Sequence, residues 1–450
     1  MSKYDNYDQF PDVWLSKTPA HWQAHKMKRL FAERSEKGYP NEPLLVASQN
    51  MGVVPKNVYG NRTVEAQKDL HLLKLVHIGD FVISLRSFQG GLEYAYYQGI
   101  ISPAYTILVP HEPMSAPYFR YLAKSKPFIG LLTLCVTGIR EGQNIDYTKL
   151  KNHLLPVPPR DEQDQIVRFL DWKVSSINKL IRIRKRQIEE LEAIKRSSIG
   201  YLVMGQAQSI PQRDTEVNWV KTIPAHWNEK TLIQVAEEQQ IKNAGMVEDN
   251  LLSLSYGKII NKDINTTDGL LPSSFEGYQV VHDGNIILRL TDLQNDHKSL
   301  RTGLVTQTGI ITSAYTCLKV RHNILPEYLQ LQLHVADLCK VFYGMGGGVR
   351  QSIGFTEIRK LVIAIPPVEE QQYILDRVHG IEKPINCAIQ NIRDIIAGLE
   401  DLKTRLISDT VTGKIDVRGI EIPEYEFVDE DNDNVDENLE QGPDEPPEEE

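Results

Sequence analysis

Residues 14–22 read WLSKTPAHW, and residues 219–227 read WVKTIPAHW. Both stretches consist of a tryptophan, four variable residues and the sequence PAHW, and they lie 205 residues apart. A period this long far exceeds the roughly 20–50 residues of a solenoid repeat. We therefore predict a duplicated pair of domains and not a repeat array.

Further matches follow in the same order along both halves of the chain. The matched stretches are Gly79–Ile83 with Gly284–Leu288, Gly99–Thr106 with Gly309–Thr316, and Pro158–Gln163 with Pro366–Gln371. The first of these is an apolar run after a turn signal, which predicts a buried strand. Short β-branched runs and Gly, Pro and Asn turns around it predict a strand-rich α/β domain in each half.

A long helix is predicted after the paired prolines of each half. Pro159 and Pro367 suit the first helical turn, and the acidic pairs after them suit the positive end of the helix dipole. Apolar residues then recur every three or four positions, which predicts a coiled-coil seam of about four heptads. The seam positions are Val167, Leu170, Val174, Ile177, Ile181, Ile188, Leu191, Leu375, Val378, Ile385, Ile389, Ile392, Ile396, Leu399 and Leu406.

Two helices of matching length and seam predict an antiparallel pair, with the two α/β domains at opposite ends of a pseudo-two-fold molecule. The alternative is that each helix covers only its own domain. Pro384 lacks an amide hydrogen and is predicted to kink or break the second helix in its first third.

The predicted fold class is α+β: two α/β domains joined by two long helices that form an antiparallel coiled coil, with an internal pseudo-two-fold repeat. The predicted boundaries are 1–17 for an N-terminal arm, 18–158 for the first domain, 159–205 for the first helix, 206–222 for a linker, 223–365 for the second domain, 366–412 for the second helix, 413–420 for a closing segment and 421–450 for a disordered acidic tail.

The net charge of -10 is unevenly distributed along the chain. Residues 421–450 hold fifteen Asp or Glu and no Lys or Arg, so the rest of the chain carries +5. Residues 18–158 carry 16 basic and 10 acidic groups, whereas residues 223–365 carry 13 and 14. The charge therefore does not exclude a nucleic-acid partner, and the first domain is expected to contribute more of any salt-dependent affinity.

Several classes of protein are disfavoured by what the sequence lacks. It has no apolar run of membrane-spanning length and no signal peptide, which predicts a cytoplasmic protein without a membrane partner. Its four cysteines form no CxxC pair, so no metal site is predicted. It has no Walker A, GxSxG or HExxH motif, so no catalytic residue is predicted, and both His-Trp pairs are interpreted as structural.

The ordered set of motifs resembles the DNA-specificity subunits of type I restriction-modification enzymes. The set comprises W-x4-PAHW, the Gly-Asp or Gly-Asn strand, SPAYT or TSAYT, and PP-x-x-EQ before a heptad helix, each present twice, with VTGKIDVR at 411–418. The resemblance covers nearly all of residues 1–420. It implies two target-recognition domains, which each read half of a bipartite, asymmetric DNA site, and central helices whose length sets the spacer.

The resemblance also implies partners and cofactors. The chain would have no catalysis and no cofactor of its own, and it would bind double-stranded DNA, two methyltransferase subunits and, through these, two restriction subunits. S-adenosylmethionine, ATP and Mg²⁺ would belong to those partners. The alternatives are a recognition module with its own divergent nuclease or methyltransferase activity, and a coiled-coil adaptor without a DNA role.

Side chains that could read bases occur at two places in each half, one after the buried strand and one before the PP motif. Arg or Lys suits guanine and Asn or Gln suits adenine in the major groove. The candidates are Arg86, Gln89, Arg140, Gln143 and Asn144 in the first half, and Arg289, Gln294, Arg350, Gln351 and Ser352 in the second. The alternative is that they are solvated turn residues.

Two charged segments leave alternatives open. The basic cluster of the first helix could follow the phosphates of the spacer, dock a partner subunit or be ordinary solvated charge. It consists of Lys179, Arg182, Arg184, Lys185 and Arg186. The acidic tail either aids solubility or competes with DNA for basic surfaces.

Overall fold

The computed structural model describes residues 2–59, 69–85, 87–137, 144–206, 210–264, 274–293, 296, 300–321, 323–345 and 352–429. These residues form two compact units. Of the described residues, unit 1 holds 2–186 and 392–429, and unit 2 holds 187–391. Each unit therefore contains one strand-rich domain and a part of each long helix.

The strands of unit 1 are short and alternate with turns. They are β1 Tyr7–Gln9, β2 Lys17–Pro19, β3 Gln23–Lys26, β4 Phe31–Arg34, β5 Leu45–Ser48, β6 Gly52–Pro55, β7 Lys74–Val76, β8 Phe81–Ile83, β9 Glu93–Tyr94, β10 Gly99–Ile101, β11 Thr106–Pro110, β12 Val136–Thr137, β13 Asn144–Ile145 and β14 Leu154–Val157. The helices that begin in unit 1 are α1 Lys56–Tyr59, α2 Ser87–Gly90, α3 Ala116–Leu122, α4 Lys126–Leu134, α5 Tyr147–Leu150 and α6 Arg160–Val203.

The central sheet of unit 1 is antiparallel, with the order β4-β11-β8-β9. All three residues of β8 are buried, as predicted for the apolar run after Gly79. Val82 in the middle of β8 pairs with Ile107 on one side and Glu93 on the other. Strand β14 pairs with β3, and α6 begins three residues after β14 ends. The long helix is therefore anchored directly to the domain by a strand.

Unit 2 repeats this order of elements. Its strands are β15 Gln212–Asp214, β16 Thr222–Pro224, β17 Asn228–Thr231, β18 Ala236–Glu238, β19 Leu252–Ser255, β20 Lys258–Asn261, β21 Gln279–Val281, β22 Ile286–Leu288, β23 Thr302–Leu304, β24 Gly309–Ile311, β25 Thr316–Val320 and β26 Val362–Ile365. The helices that begin in unit 2 are α7 Leu232–Val235, α8 Pro326–Leu338, α9 Phe355–Ile358 and α10 Val368–Val411.

The sheet pairings confirm the predicted internal repeat and the α+β class. The central sheet of unit 2 has the order β18-β25-β22-β23, which matches β4-β11-β8-β9 strand for strand. The two-stranded pairs also correspond: β15-β16 with β1-β2, β17-β26 with β3-β14, β21-β24 with β7-β10 and β19-β20 with β5-β6. The pair β12-β13 of unit 1 has no counterpart among the described residues of unit 2.

Within each unit the parts of α6 and α10 run antiparallel. In unit 1, Gln165 Nε2 donates to the carbonyl of Val417 at 3.0 Å, and thirteen residues later along α6 Asn178 Oδ1 accepts from Lys403 Nζ at 3.4 Å. In unit 2, Lys195 Nζ donates to Asn386 Oδ1 at 3.1 Å. The predicted seam positions are all buried or half-buried. Apolar contacts and these polar pairs together explain why both helices persist for 44 residues.

Of the two outcomes predicted at Pro384, a kink or a break, the break is wrong, because α10 continues through Pro384 without interruption, and the kink stays a prediction. Pro384 and Gly380, whose carbonyl loses its intrahelical partner, are both exposed. A carbonyl on the solvent side of a helix can tilt outward and bond to water, so the loss is tolerated there.

Each long helix ends against a PAHW motif. Gly205 follows α6 with a φ of +67°, and Gly413 follows α10 with a φ of +75°. A Cβ on Gly205 would lie 2.5 Å from the Pro224 side chain, and one on Gly413 would lie 2.2 Å from that of Pro19. Glycine is required at both positions by the left-handed backbone and by this close approach.

The segment after the closing residues packs on α6, and we call residues 421–429 the C-terminal strap. Ser175 Oγ donates to the carbonyl of Glu426 at 2.9 Å and accepts from the amide of Val428 at 2.7 Å. Asn178 Nδ2 donates to the carbonyl of Val428, whose side chain is buried. The prediction of a disordered tail from residue 421 is therefore wrong for residues 421–429, because buried polar groups on α6 bind their backbone. Residues 430–450 lie outside the described residues.

Candidate nucleic-acid interface

In unit 1 the first candidate place lies in a short turn after the central strand. Ser87 is buried, and its hydroxyl accepts from the amide of Ser84 at 2.8 Å, which fixes the start of α2. Gln89 lies on α2 and is exposed. Arg86 lies outside the described residues. A side chain able to read adenine is thus presented to solvent on a rigid one-turn helix.

In unit 2 the corresponding place is longer and more polar. Arg289 follows β22, is half-buried, and its guanidinium lies 4.0 Å from the carboxylate of Asp296. Its amide donates to the carbonyl of Arg301 at 2.9 Å. Asp292 adopts a φ of +54°, so the chain turns sharply after Arg289. Gln294 lies outside the described residues.

The second candidate place, before the PP motif, is described only in part. Asn144 is exposed in β13, which pairs with β12, and Ser352 is exposed immediately before the buried Ile353. The other candidates there, Arg140, Gln143, Arg350 and Gln351, lie outside the described residues.

Described residues of the two places lie close together in each unit. In unit 1, α2 contacts β13, so the element that carries Gln89 touches the strand that carries Asn144. In unit 2, the amide of Ile353 donates to the carbonyl of Leu290 at 3.0 Å, which places Ser352 next to the chain around Arg289. The described candidates therefore lie on neighbouring segments of the chain, Gln89 and Asn144 in unit 1 and Arg289 and Ser352 in unit 2.

The PP-x-x-EQ motif holds this domain on the long helix. Gln163 is fully buried; its amide nitrogen donates to the carbonyls of Pro113 and Pro158 at 2.8 and 2.9 Å, and its oxygen accepts from the amide of Ser115 at 2.9 Å. In unit 2, Gln371 makes the equivalent bonds to Asn323, Pro366 and Leu325. No contact of these glutamines was predicted from the sequence, although their repetition in both motifs was a signal of a shared role.

The glutamate of the same motif binds the PAHW histidine. His21 Nε2 lies 2.7 Å from Glu162 Oε2, and His226 Nε2 lies 2.7 Å from Glu370 Oε2. In unit 1, Trp22 Nε1 also donates to Glu162 Oε1 at 3.0 Å. Each PAHW motif therefore contacts both long helices: its histidine binds the start of one, and its proline packs against the glycine that follows the other.

The basic cluster of α6 begins beside the C-terminal strap. Lys179 is exposed and its Nζ lies 3.2 Å from the carboxylate of Glu426. The next members along α6, from Arg182 to Arg186, are exposed or half-buried. Cationic side chains at this density suit a polyanion.

In the described part of the chain, no three His, Cys, Asp or Glu side chains are arranged to hold a metal ion. No helix in that part is long and apolar enough to cross a membrane.

Comparisons with known proteins agree on one class. A family model described as type I restriction modification DNA specificity domain matches residues 304–396. A curated protein of Methanocaldococcus jannaschii, "Putative type I restriction enzyme MjaX specificity subunit", is 22% identical over 437 residues, which is 91% of this chain and 97% of that protein.

Solved structures are similar as well. One, described as the structural basis of complex assembly and conformational transition of the type I R-M system, matches with a TM-score of 0.60 at 14% identity, over 88% of this chain and 99% of the other. This match shows a shared fold. The HsdS subunit of Thermoanaerobacter tengcongensis matches at 14% identity over 88% and 98% of the two chains, with a TM-score of 0.43, from which no argument about the fold follows.

Proposed function

We infer that this chain is a DNA-specificity subunit of type I restriction-modification enzymes. The observation that carries the inference is the pair of units, which share their order of elements and sheet pairings but differ in the segments that carry candidate base-reading side chains. A duplicated scaffold with unlike reading surfaces suits a site made of two unlike halves. The family match to residues 304–396 and the full-length similarity to a specificity subunit support the same conclusion.

Each unit is proposed to read one half of a bipartite, asymmetric site. In unit 1 the proposed reading residues are Arg86, Gln89, Arg140, Gln143 and Asn144; in unit 2 they are Arg289, Gln294, Arg350, Gln351 and Ser352. Hydrogen bonds from such side chains to base edges in the major groove discriminate between base pairs. The meeting of the two candidate places within each unit supports this proposal, because a half-site of a few base pairs needs several side chains on one patch.

The long helices α6 and α10 are proposed to set the spacer between the half-sites. A helix rises 1.5 Å per residue, so each of the two 44-residue helices is about 66 Å long. The basic cluster of α6 is proposed to follow the phosphates of the unread spacer. Its charge suits that role because phosphate contacts add affinity without reading sequence.

The chain is proposed to act in the cytoplasm as a non-catalytic member of a complex. Specificity subunits of this class imply DNA, methyltransferase and restriction subunits as partners. We propose two methyltransferase and two restriction subunits, which would hold S-adenosylmethionine, ATP and Mg²⁺. The rival proposal, a recognition module with its own nuclease or methyltransferase activity, has no support in the family match.

Selection of bound duplexes from a random-sequence pool, with the purified full chain, tests the proposal. We expect enrichment of two short unlike motifs at a fixed separation, and no cleavage or methylation until partner subunits are added. Enrichment of no motif, or of one uninterrupted motif, would contradict it.

A further inference from the structure

A buried arginine holds the chain after the central strand of unit 2. We call the described residues 289–293, 296, 300 and 301 the post-strand segment of this unit. The side chain of Arg301 is 0% exposed, and all five of its N–H groups donate to acceptors. Four acceptors are carbonyls of the segment itself, those of Arg289, Thr291, Asp292 and Asp296, and the fifth is the hydroxyl of Tyr343.

The charge of Arg301 is balanced locally. Asp296 Oδ2 lies 3.9 Å from its Nη2, and the buried carboxylate of Asp337 on α8 accepts from its backbone amide at 2.8 Å. Burial raises the pKa of Asp337, and the nearby Arg301 opposes this rise. A cation out of water is costly unless paired and hydrogen-bonded, so the full set of partners fixes both the guanidinium and the carbonyls around it.

A lysine contacts the chain after the central strand in unit 1, where the post-strand segment is the described residues 84, 85 and 87–92. Lys124 follows α3, and its ammonium donates to the carbonyls of Gln49 and Gly90, both at 3.0 Å, and to Glu93 Oε2 at 2.8 Å. Glu93 is fully buried, and burial raises its pKa to about 7 while Lys124 lowers it. An ammonium has three donors, and three acceptors are present.

The two cations reach their segments from different elements. Val82 pairs with Glu93, and Ile287 pairs with Gly303, so the strand register makes Gly91 the counterpart of Arg301. A Cβ on Gly91 would lie 2.1 Å from the carbonyl of Ala123, so unit 1 has no room for a side chain there. The lysine after α3 supplies the cation instead. We call Lys124 and Arg301 the loop cations.

We propose that the loop cations are positioning residues for base reading, Lys124 for the half-site of unit 1 and Arg301 for that of unit 2. The inference rests on the proposed function. Neither cation is placed to contact a base itself; each holds backbone from which a reading side chain extends, Gln89 on α2 in unit 1 and Arg289 in unit 2.

The number of donors makes the two cations non-interchangeable. Lysine in place of Arg301 offers three donors to five acceptors, so two of the five acceptors, at least one of them a carbonyl of the segment, would lose this partner. Reading a base edge requires hydrogen-bond distances held within a few tenths of an ångström. Release of the segment should therefore reduce discrimination in one half-site while the other unit keeps its own.

The test is competitive binding of the full chain to duplexes that carry one base change at a time in either half-site. Each mismatch normally lowers affinity about 5- to 150-fold. We expect R301K to reduce these ratios to below about threefold in the half-site of unit 2 and to leave the other half-site unchanged. K124M should do the reverse. Y343F, which removes one acceptor of Arg301, should weaken discrimination in the half-site of unit 2 more mildly. This variant replaces R301K in the test if R301K does not fold.

Controls separate positioning from stability. K126M and R321K change an exposed cation in each unit that makes no bond to the post-strand segment, and they should leave every ratio unchanged. V335A, at a buried position of α8, should lower the stability of unit 2 without altering its base preference. Unchanged affinity ratios in R301K, K124M and Y343F, or equal losses in both half-sites, would overturn the inference. If the wild-type chain still showed base preference, the proposed function would stand. A wild-type chain without base preference would overturn both.

Discussion

Unit 1 and unit 2 build the start of their long helices from the same motif but give its glutamate different partners. Glu162 in unit 1 accepts from Tyr4 at 2.6 Å, from His21 and from Trp22. In unit 2, Glu370 accepts from His226, while its Oε1 and the indole nitrogen of Trp227 are buried without a partner among the described residues. One of the two additional partners in unit 1, Tyr4, comes from the N-terminal arm, which also pairs with the closing segment through Ser2 and Asp416.

The comparison shows that the duplicated motifs supply a common scaffold and that unit-specific segments adjust it. The buried glutamines make the same bonds in both units, whereas the glutamates, the post-strand segments and the strap differ. Under the proposed function, a common scaffold would present equivalent surfaces to two identical partners, and divergent segments would let each unit read its own half-site.

The largest effect is expected from the shared feature. Q163L and Q371L keep the side-chain volume but leave a buried amide and two carbonyls without partners, so each should destabilise its own unit by about 3 kcal/mol. Hydrogen exchange resolved by unit measures this. Q372L, on the exposed side of α10, serves as control. Loss of protection from hydrogen exchange in both units after one substitution would mean that the two glutamines do not stabilise their units independently.

The acid sensitivity of unit 2 should exceed that of unit 1 because of His334 on α8. Burial, and to a lesser degree the nearby Lys195, lowers the pKa of this histidine to about 4. Below about pH 6.5 this histidine is protonated in the unfolded chain but still neutral in the folded chain. The free energy of unfolding therefore falls as the pH drops from about 6.5 towards 4, by up to about 3 kcal/mol. Above pH 6.5 the residue has no such effect.

Denaturation of the full chain at successive pH values, followed by hydrogen exchange in each unit, checks this expectation. H334Q should flatten the acid slope of unit 2, while H282Q, at an exposed position, should retain it. An unchanged slope in H334Q would contradict the prediction.

Because Glu162 has more hydrogen-bond partners than Glu370, replacing each with glutamine should lower the stability of the two units by unequal amounts. E162Q weakens charge-assisted bonds to Tyr4, His21 and Trp22, and we expect unit 1 to lose about 2 kcal/mol. E370Q weakens one bond, and we expect about 1 kcal/mol or less in unit 2. Y4F should reproduce part of the E162Q effect. Equal costs in both units would remove the difference on which this comparison rests.

The smallest effect is expected at the strap. S175A removes two hydrogen bonds between α6 and the strap backbone, so unit 1 should lose about 1 kcal/mol, and residues 421–429 should become sensitive to proteases. S176A, one position away and exposed, is the matched control. Protease resistance that survived S175A would mean that the strap is held by other contacts.

The sequence predicted the repeat, both helices and the central strands because each leaves a periodic or repeated pattern. It did not predict the contacts of Gln163 and Gln371, because a buried amide gives no periodic signal. A break at Pro384 was wrongly predicted, because that face of the helix is exposed. Disorder was wrongly predicted for residues 421–429, because their acidic composition concealed two buried polar partners on α6. The loop cations were missed because Lys124 and Arg301 occupy different elements and do not align.

The candidate reading residues remain predictions. The closeness of Gln89 to Asn144 and of Arg289 to Ser352 could not be derived from sequence, because 55 and 63 residues separate the members of these pairs. The residues Arg86, Arg140, Gln143, Gln294, Arg350 and Gln351 lie outside the described residues.

The central claim, that each unit reads one half of a bipartite site, is tested most directly by mapping methylated bases across a genome in cells that express this chain with its methyltransferase subunits. The account predicts a motif of two unlike halves at a fixed spacing, with R301K relaxing the half that K124M leaves intact. A continuous or palindromic motif, or relaxation of both halves by either variant, would contradict it.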